Sequence, residues 1–150
     1  MAIEKLSVAE LGAVTFRVDA VPVAQPRARA TAINGKARMY EAKAGHAIHA
    51  FKASVRLAWS QTGSDYFDGP LAVSMVFVMP RPKRLKTGGR VAFDRKPDFD
   101  NLGKSTADSL NELAWHDDSQ ICDARVQKWY AASDESPHVV ISIREFKEQP

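Results

Sequence analysis

A single cysteine, Cys122, occurs in 150 residues, which excludes an internal disulfide and leaves no Cys/His spacing of the kind that holds structural zinc. That scarcity fits a reducing compartment, and the thiol itself reads as buried and inert. No apolar run approaches the roughly 18 residues needed to cross a bilayer. The first residues, with Glu4 and Lys5 early and no long apolar stretch behind them, do not read as a signal peptide. A cytoplasmic protein with no membrane partner is expected. Internal repeats are absent, as are the biased compositions of disordered or fibrous chains. With 45% hydrophobic and 26% charged residues, the chain has the make-up of one soluble globular domain, long enough to bury a core without staples.

The net charge of +3 is mild, but each sign of charge is scarce where the other is dense. Between residues 81 and 96 the only acid is Asp94, against seven bases: Arg81, Lys83, Arg84, Lys86, Arg90, Arg95 and Lys96. Between residues 98 and 123 the only base is Lys104, against seven acids. One reading is a solvated loop beside a solvated helix. The other is a phosphate-binding rim beside a metal pocket, because a polyanion needs cations to hold it and clustered carboxylates need a metal to meet it. On the second reading the Gly88–Gly89 pair makes the basic loop mobile, able to close over bound nucleic acid.

Along the chain, residues 1–13 read as a loosely ordered lead-in and 14–150 as the domain. Residues 14–20 alternate apolar and polar with β-branched side chains, which predicts a strand. Pro22 and Pro26 end it. Residues 24–40 place Arg27, Arg29, Lys36 and Arg38 around an Asn34–Gly35 turn, a basic hairpin whose arginines suit phosphates or simply solvent. Over residues 41–61, Ala47, Ile48, Phe51, Val55, Ala58 and Trp59 recur at helical intervals, so a helix should lie on a sheet there. His46 and His49 share that helix, three apart, without a third ligand. The near-continuous apolar run 71–79 predicts a strand buried on both faces and central in its sheet. A second helix is expected from about Asp100 to Leu113, burying Leu102, Thr106, Leu110 and Leu113. Two strands follow, at 120–129 and 139–143. This order predicts an α/β (α+β) fold in which two main helices pack on a mixed β-sheet.

The chemistry concentrates in Lys-Pro-Asp-Phe-Asp-Asn-Leu-Gly-Lys (96–104) and Trp-His-Asp-Asp-Ser-Gln (115–120). On an extended backbone Asp98 and Asp100 leave from one face, with Cα atoms roughly 6–7 Å apart. Lys104 stands one helical turn above Asp100. The pair Asp117 and Asp118 returns after a helix-length gap. Carboxylates, an ammonium and a further carboxylate make a site suited to oxygen-ligated Mg²⁺ or Mn²⁺ and to phosphodiester chemistry. Either aspartate of the second pair can serve. Aspartate is also a preferred helix cap, but capping needs one residue and leaves the rest unexplained. Asp108, four beyond Lys104, suits pairing with that lysine. Gly103 suits either the approach of a phosphate to the helix N-terminus or a packing contact. Trp115 reads as a packing residue and His116 as solvent-facing.

These segments, with Asp108-Ser109-Leu110-Asn111, the upstream Met-Pro-Arg-Pro-Lys and the early Val-Ala-Gln-Pro-Arg-Ala-Arg, resemble the RusA family of crossover junction endodeoxyribonucleases of bacteria and their phages. The likeness covers most of the chain after about residue 14. Where that family can carry arginine just before the first aspartate, this chain has Pro97, preceded by Lys96. The resemblance implies a homodimer in a bacterial cytoplasm that cuts four-way DNA junctions with Mg²⁺, making symmetric nicks in opposing strands. It also implies Asp98, Asp100 and Asp118 as catalytic, metal-holding carboxylates and Lys104 as a catalytic lysine. Arg27, Arg29, Lys83, Arg84, Lys86, Arg90, Arg95 and Lys96 are the candidates for DNA contact. Two other classes stay open at this point: a DNA-junction-binding protein without catalysis, and a different Asp-x-Asp metal-dependent phosphotransfer or glycosyl-transfer enzyme.

Overall fold

The computed structural model describes residues 12–26, 29–33, 36–40 and 45–147. Its central sheet has the order β1-β7-β4-β6-β5, formed by β1 (Ala13–Val18), β4 (Leu71–Met79), β5 (Val91–Ala92), β6 (Ile121–Tyr130) and β7 (His138–Glu145). A separate hairpin joins β2 (Arg29–Ile33) to β3 (Lys36–Tyr40). Its Asn34–Gly35 turn lies outside the described residues, as do Arg27 and the hairpin side chains, Arg29 included.

Strand β4 takes the middle place that its unbroken apolar run predicts. It pairs antiparallel with β7 and parallel with β6, which makes the sheet mixed. A parallel pair requires a crossover, and here that connection holds the basic loop, β5 and a helix. Helix α1 (Gly45–Gln61) buries Ile48, Phe51, Val55 and Trp59, at steps of three and four. Ala47, on the expected stripe, is exposed. Helix α2 (Phe99–Leu110) buries Leu102, Thr106 and Leu110. Both helices pack into one core with Val73, Met75, Phe77, Ile141 and Ile143. Each such large side chain contributes roughly 1.5–3 kcal/mol on burial. The Arg56 guanidinium of α1 donates to the Ser109 carbonyl of α2, 3.1 Å away, and fixes one helix against the other.

Three expectations are corrected. Helix α2 ends at Leu110, not near Leu113, and Leu113 is 43% exposed. Glu112 adopts a left-handed φ of 66°, which turns the chain so that Ala114 and Trp115 enter the core in its place. Cys122 is exposed, not buried. The β4–β6 register slips from Leu71↔Ile121 to Ala72↔Asp123, so Cys122 falls in the irregularity and loses its place in the alternation. The loop carrying Gly88 and Gly89 is fastened, not loose. Arg81 donates to the carbonyls of Lys86, Gly89 and Ala131, and the Gly88 amide donates to Ser133 Oγ at 2.7 Å. No helix among the described residues is long and apolar enough to cross a membrane.

Candidate active site

Asp98 is the N-cap residue of α2, extended at φ −69° and ψ 151°; its carbonyl accepts the Leu102 amide at 3.1 Å, but its side chain makes no capping hydrogen bond. Asp100 lies in the first turn, where the unpaired amides of a helix N-terminus favour negative charge. Four residues on, Lys104 bridges two carboxylates. Its Nζ lies 3.1 Å from Asp108 Oδ1 and 3.3 Å from Asp118 Oδ2. Asp108 first, and Asp118 after it, hold the Lys104 pKa above the usual lysine value. The expected Lys104–Asp108 pairing is therefore present.

The two neighbouring aspartates have separate places. Asp117 caps a short 3₁₀ turn, accepting the Ser119 amide at 3.1 Å, and hydrogen bonding from the Ser119 side chain first, and from that amide after it, lowers its pKa. Asp118 faces Lys104 instead. Gln120 holds the turn in position: its carbonyl oxygen accepts the His116 and Asp117 amides, and its amide donates to the Phe67 and Gly69 carbonyls. Gln120 belongs to the 115–120 motif, but the sequence assigned it no role, although Asp-x-x-Gln is the spacing of a capping box. Trp115 is fully buried with its indole N–H on Asn111 Oδ1 at 2.8 Å, and His116 is exposed, both as expected.

Asp100, Lys104 and Asp118 line one cleft of about 300 Å³ together with Phe99, Gly103, Ala107, Arg125 and apolar side chains of β4 and β6. Asp98 is not among the lining residues. Among the described residues, no three His, Cys, Asp or Glu side chains stand together as a ready metal cage. The donor chemistry still fits a hard divalent ion. Mg²⁺ keeps several waters and is commonly held by one or two carboxylates plus substrate phosphates, and Asp100 and Asp118 supply two carboxylates to one cleft. Gly103 is not forced by crowding, since a Cβ there would meet Val126 Cγ2 at an ordinary 3.6 Å.

The cations upstream divide into two groups. Arg81 is bound to backbone carbonyls, Arg84 donates to Tyr130 Oη at 3.0 Å, and Arg90 pairs with Glu135 at 2.5–3.1 Å. The Arg90 guanidinium pulls the Glu135 pKa from 4.5 to about 2. Lys83, Lys86, Arg95 and Lys96 are exposed. Lys128, missed in the sequence, donates to the carbonyls of Arg95 at 2.8 Å and Pro97 at 2.9 Å, and so ties the approach to Asp98 onto β6.

The sequence profile of the family described as Endodeoxyribonuclease RusA matches residues 19–144. A similar protein of Bacillus subtilis (strain 168), described as "Uncharacterized protein YqaN", is 35% identical over 143 residues, covering 88% of this chain and 96% of its own length.

Proposed function

The chain belongs to the RusA endodeoxyribonuclease family, and from that premise we propose that it resolves four-way DNA junctions by paired symmetric nicks, as a Mg²⁺-dependent homodimer in which Mn²⁺ can substitute. The observation that carries the reading is the shared cleft of Asp100, Lys104 and Asp118, with the ammonium 3.3 Å from Asp118 Oδ2. Asp100 and Asp118, joined by Asp98 from the cap position, would hold the divalent ion. When bound, such an ion supplies an activated water and stabilises charge on the phosphate.

The chain's own groups do the rest. Lys104 stays protonated, since both carboxylates beside it favour the charged form. Its ammonium sets a fixed positive charge where the scissile phosphate gains negative charge. Asp108 orients that ammonium from one helical turn away. Gln120 and the cap formed by Asp117 keep Asp118 turned toward the cleft. Lys83, Lys86, Arg95 and Lys96 hold flanking phosphates, and Arg27, Arg29, Arg84 and Arg90 are further candidates for DNA contact. A two-fold dimer matches the near two-fold symmetry of a junction and presents two clefts to two strands.

The test is an assay of purified protein on a synthetic four-way junction and on linear duplex, in Mg²⁺ and in chelator. Junction-selective nicks that need Mg²⁺ support the reading. Binding without nicking would select the non-catalytic alternative, and turnover of a small phosphoester or nucleotide sugar would select the other enzyme class.

A further inference from the structure

We propose that the apolar side of the cleft receives an unstacked nucleobase of the strand being cut, with Phe99 as its stacking face. The proposal rests on the nuclease reading above and extends it, because neither an ion nor a phosphate has any use for an apolar wall. Phe99 sits between Asp98 and Asp100 and is 61% exposed, although it is the first residue of α2 and lines the cleft. Val73, Met75, Ala107, Ile121 and Val126 line the same cleft. Its volume, about 300 Å³, is at the lower end for sites that take small organic groups.

A nucleotide matches this mixture of surfaces. Its base has flat apolar faces, and stacking on an aromatic side chain contributes roughly 1–3 kcal/mol per base. Its flanking phosphates suit the two cations of the lining, Lys104 and Arg125. Among the described residues, β6 has no outer neighbour at Arg125, since β5 pairs only with Trp129 and Tyr130. Bringing out a base costs least where stacking is already interrupted, as at a branch point, and most in continuous duplex. The cleft would thus favour branched DNA through the cost of unstacking.

Binding of the full protein to four-way junctions carrying one abasic nucleotide, stepped across the positions around the nick, tests this. The coupling is read as Kd in chelator and as kcat/KM in Mg²⁺. On the intact junction Phe99→Ala should weaken either reading roughly 5- to 150-fold, the range for one lost stack, and Phe99→Trp should preserve it. Wild type should lose a similar factor at one abasic position, where Phe99→Ala loses little more. A Phe99→Ala loss that is equal at every position, or absent, overturns the proposal. So does a loss that accompanies a change in sedimentation, which would make Phe99 part of a contact between two copies of the chain. Failure of wild type to nick the intact junction is a separate result, and it removes the nuclease reading and this proposal together.

Discussion

The cationic loop of residues 81–96 and the acidic segment of residues 98–123 carry seven charges each, of opposite sign, yet they hold those charges differently. In the loop, Arg81, Arg84 and Arg90 are engaged with carbonyls, a phenol and a carboxylate of the molecule itself. In the acidic segment regular structure sorts the charges: α2 sets Asp100 and Asp108 on either side of Lys104, and a 3₁₀ turn separates capping Asp117 from cleft-facing Asp118. Part of the loop's positive charge thus already meets partners within the molecule. For the acids, place in the element distinguishes structural groups from those at the cleft.

The largest effect expected from breaking that comparison lies on its acidic side. Asp118→Asn should lower Mg²⁺-dependent nicking on the order of 10³-fold while junction binding persists, whereas Asp117→Ala, at the cap, should cost only about 1 kcal/mol of stability. Nicking rates beside thermal melts of the two variants separate them. Equal loss of nicking in both would place Asp117 at the chemistry and dissolve the division drawn above.

On the cationic side the effect is smaller and should divide the loop in two. Replacing Lys83, Lys86, Arg95 and Lys96 with alanine should weaken junction binding about 10- to 100-fold and flatten its dependence on salt, as loss of phosphate contacts does. Arg81→Ala should leave that salt slope nearly unchanged and lower the melting temperature, because its donors serve carbonyls 86, 89 and 131. Salt titration of Kd for both variants decides whether engaged arginines differ from exposed ones.

Smaller again is the contribution of the Arg90–Glu135 pair, and pH exposes it. The folded carboxyl titrates at about 2 in place of 4.5, so its stabilisation is complete above 4.5 and disappears as pH falls toward 2. Both side chains keep contact with solvent, which screens the pair to about 1 kcal/mol at neutral pH. Glu135→Gln should lose that amount at pH 7 and converge with wild type near pH 2, as followed by denaturant melts across the acid range. A constant difference at all pH values would mean that packing, not charge, is what Glu135 supplies.

Much of this arrangement was legible in the sequence. Apolar spacing in α1 and the unbroken run of β4 placed helix and sheet because burial acts on the period of each element. The 98–104 spacing placed Asp100 and Lys104 on one side of α2, and the return of acids at 117–118 brought Asp118 to them. Phe99 and Arg125 were missed because an aromatic between two aspartates and a lone cation on a strand carry no periodic signal. Cys122 was misplaced because a register slip leaves no trace in residue type. The fastening of the loop depends on side-chain contacts to residues 130–135, which are distant in sequence.

The smallest effect concerns the end of α2, which stops at Leu110 where apolar spacing predicted an end near Leu113. Glu112 occupies the left-handed position just past the C-cap Asn111, and its amide donates to the Trp115 carbonyl at 2.7 Å. That conformation is one glycine adopts without steric cost and other residues adopt at a penalty. Glu112→Gly should therefore stabilise the protein by about 0.5–1 kcal/mol, measured as a shift of the denaturation midpoint at constant slope. Because the acids that face the cleft are set by α2 and the 3₁₀ turn on either side of this bend, nicking should be unchanged. A stability gain with lost nicking would show that the Glu112 carboxylate, counted among the seven acids and assigned to no site, belongs with those at the cleft after all.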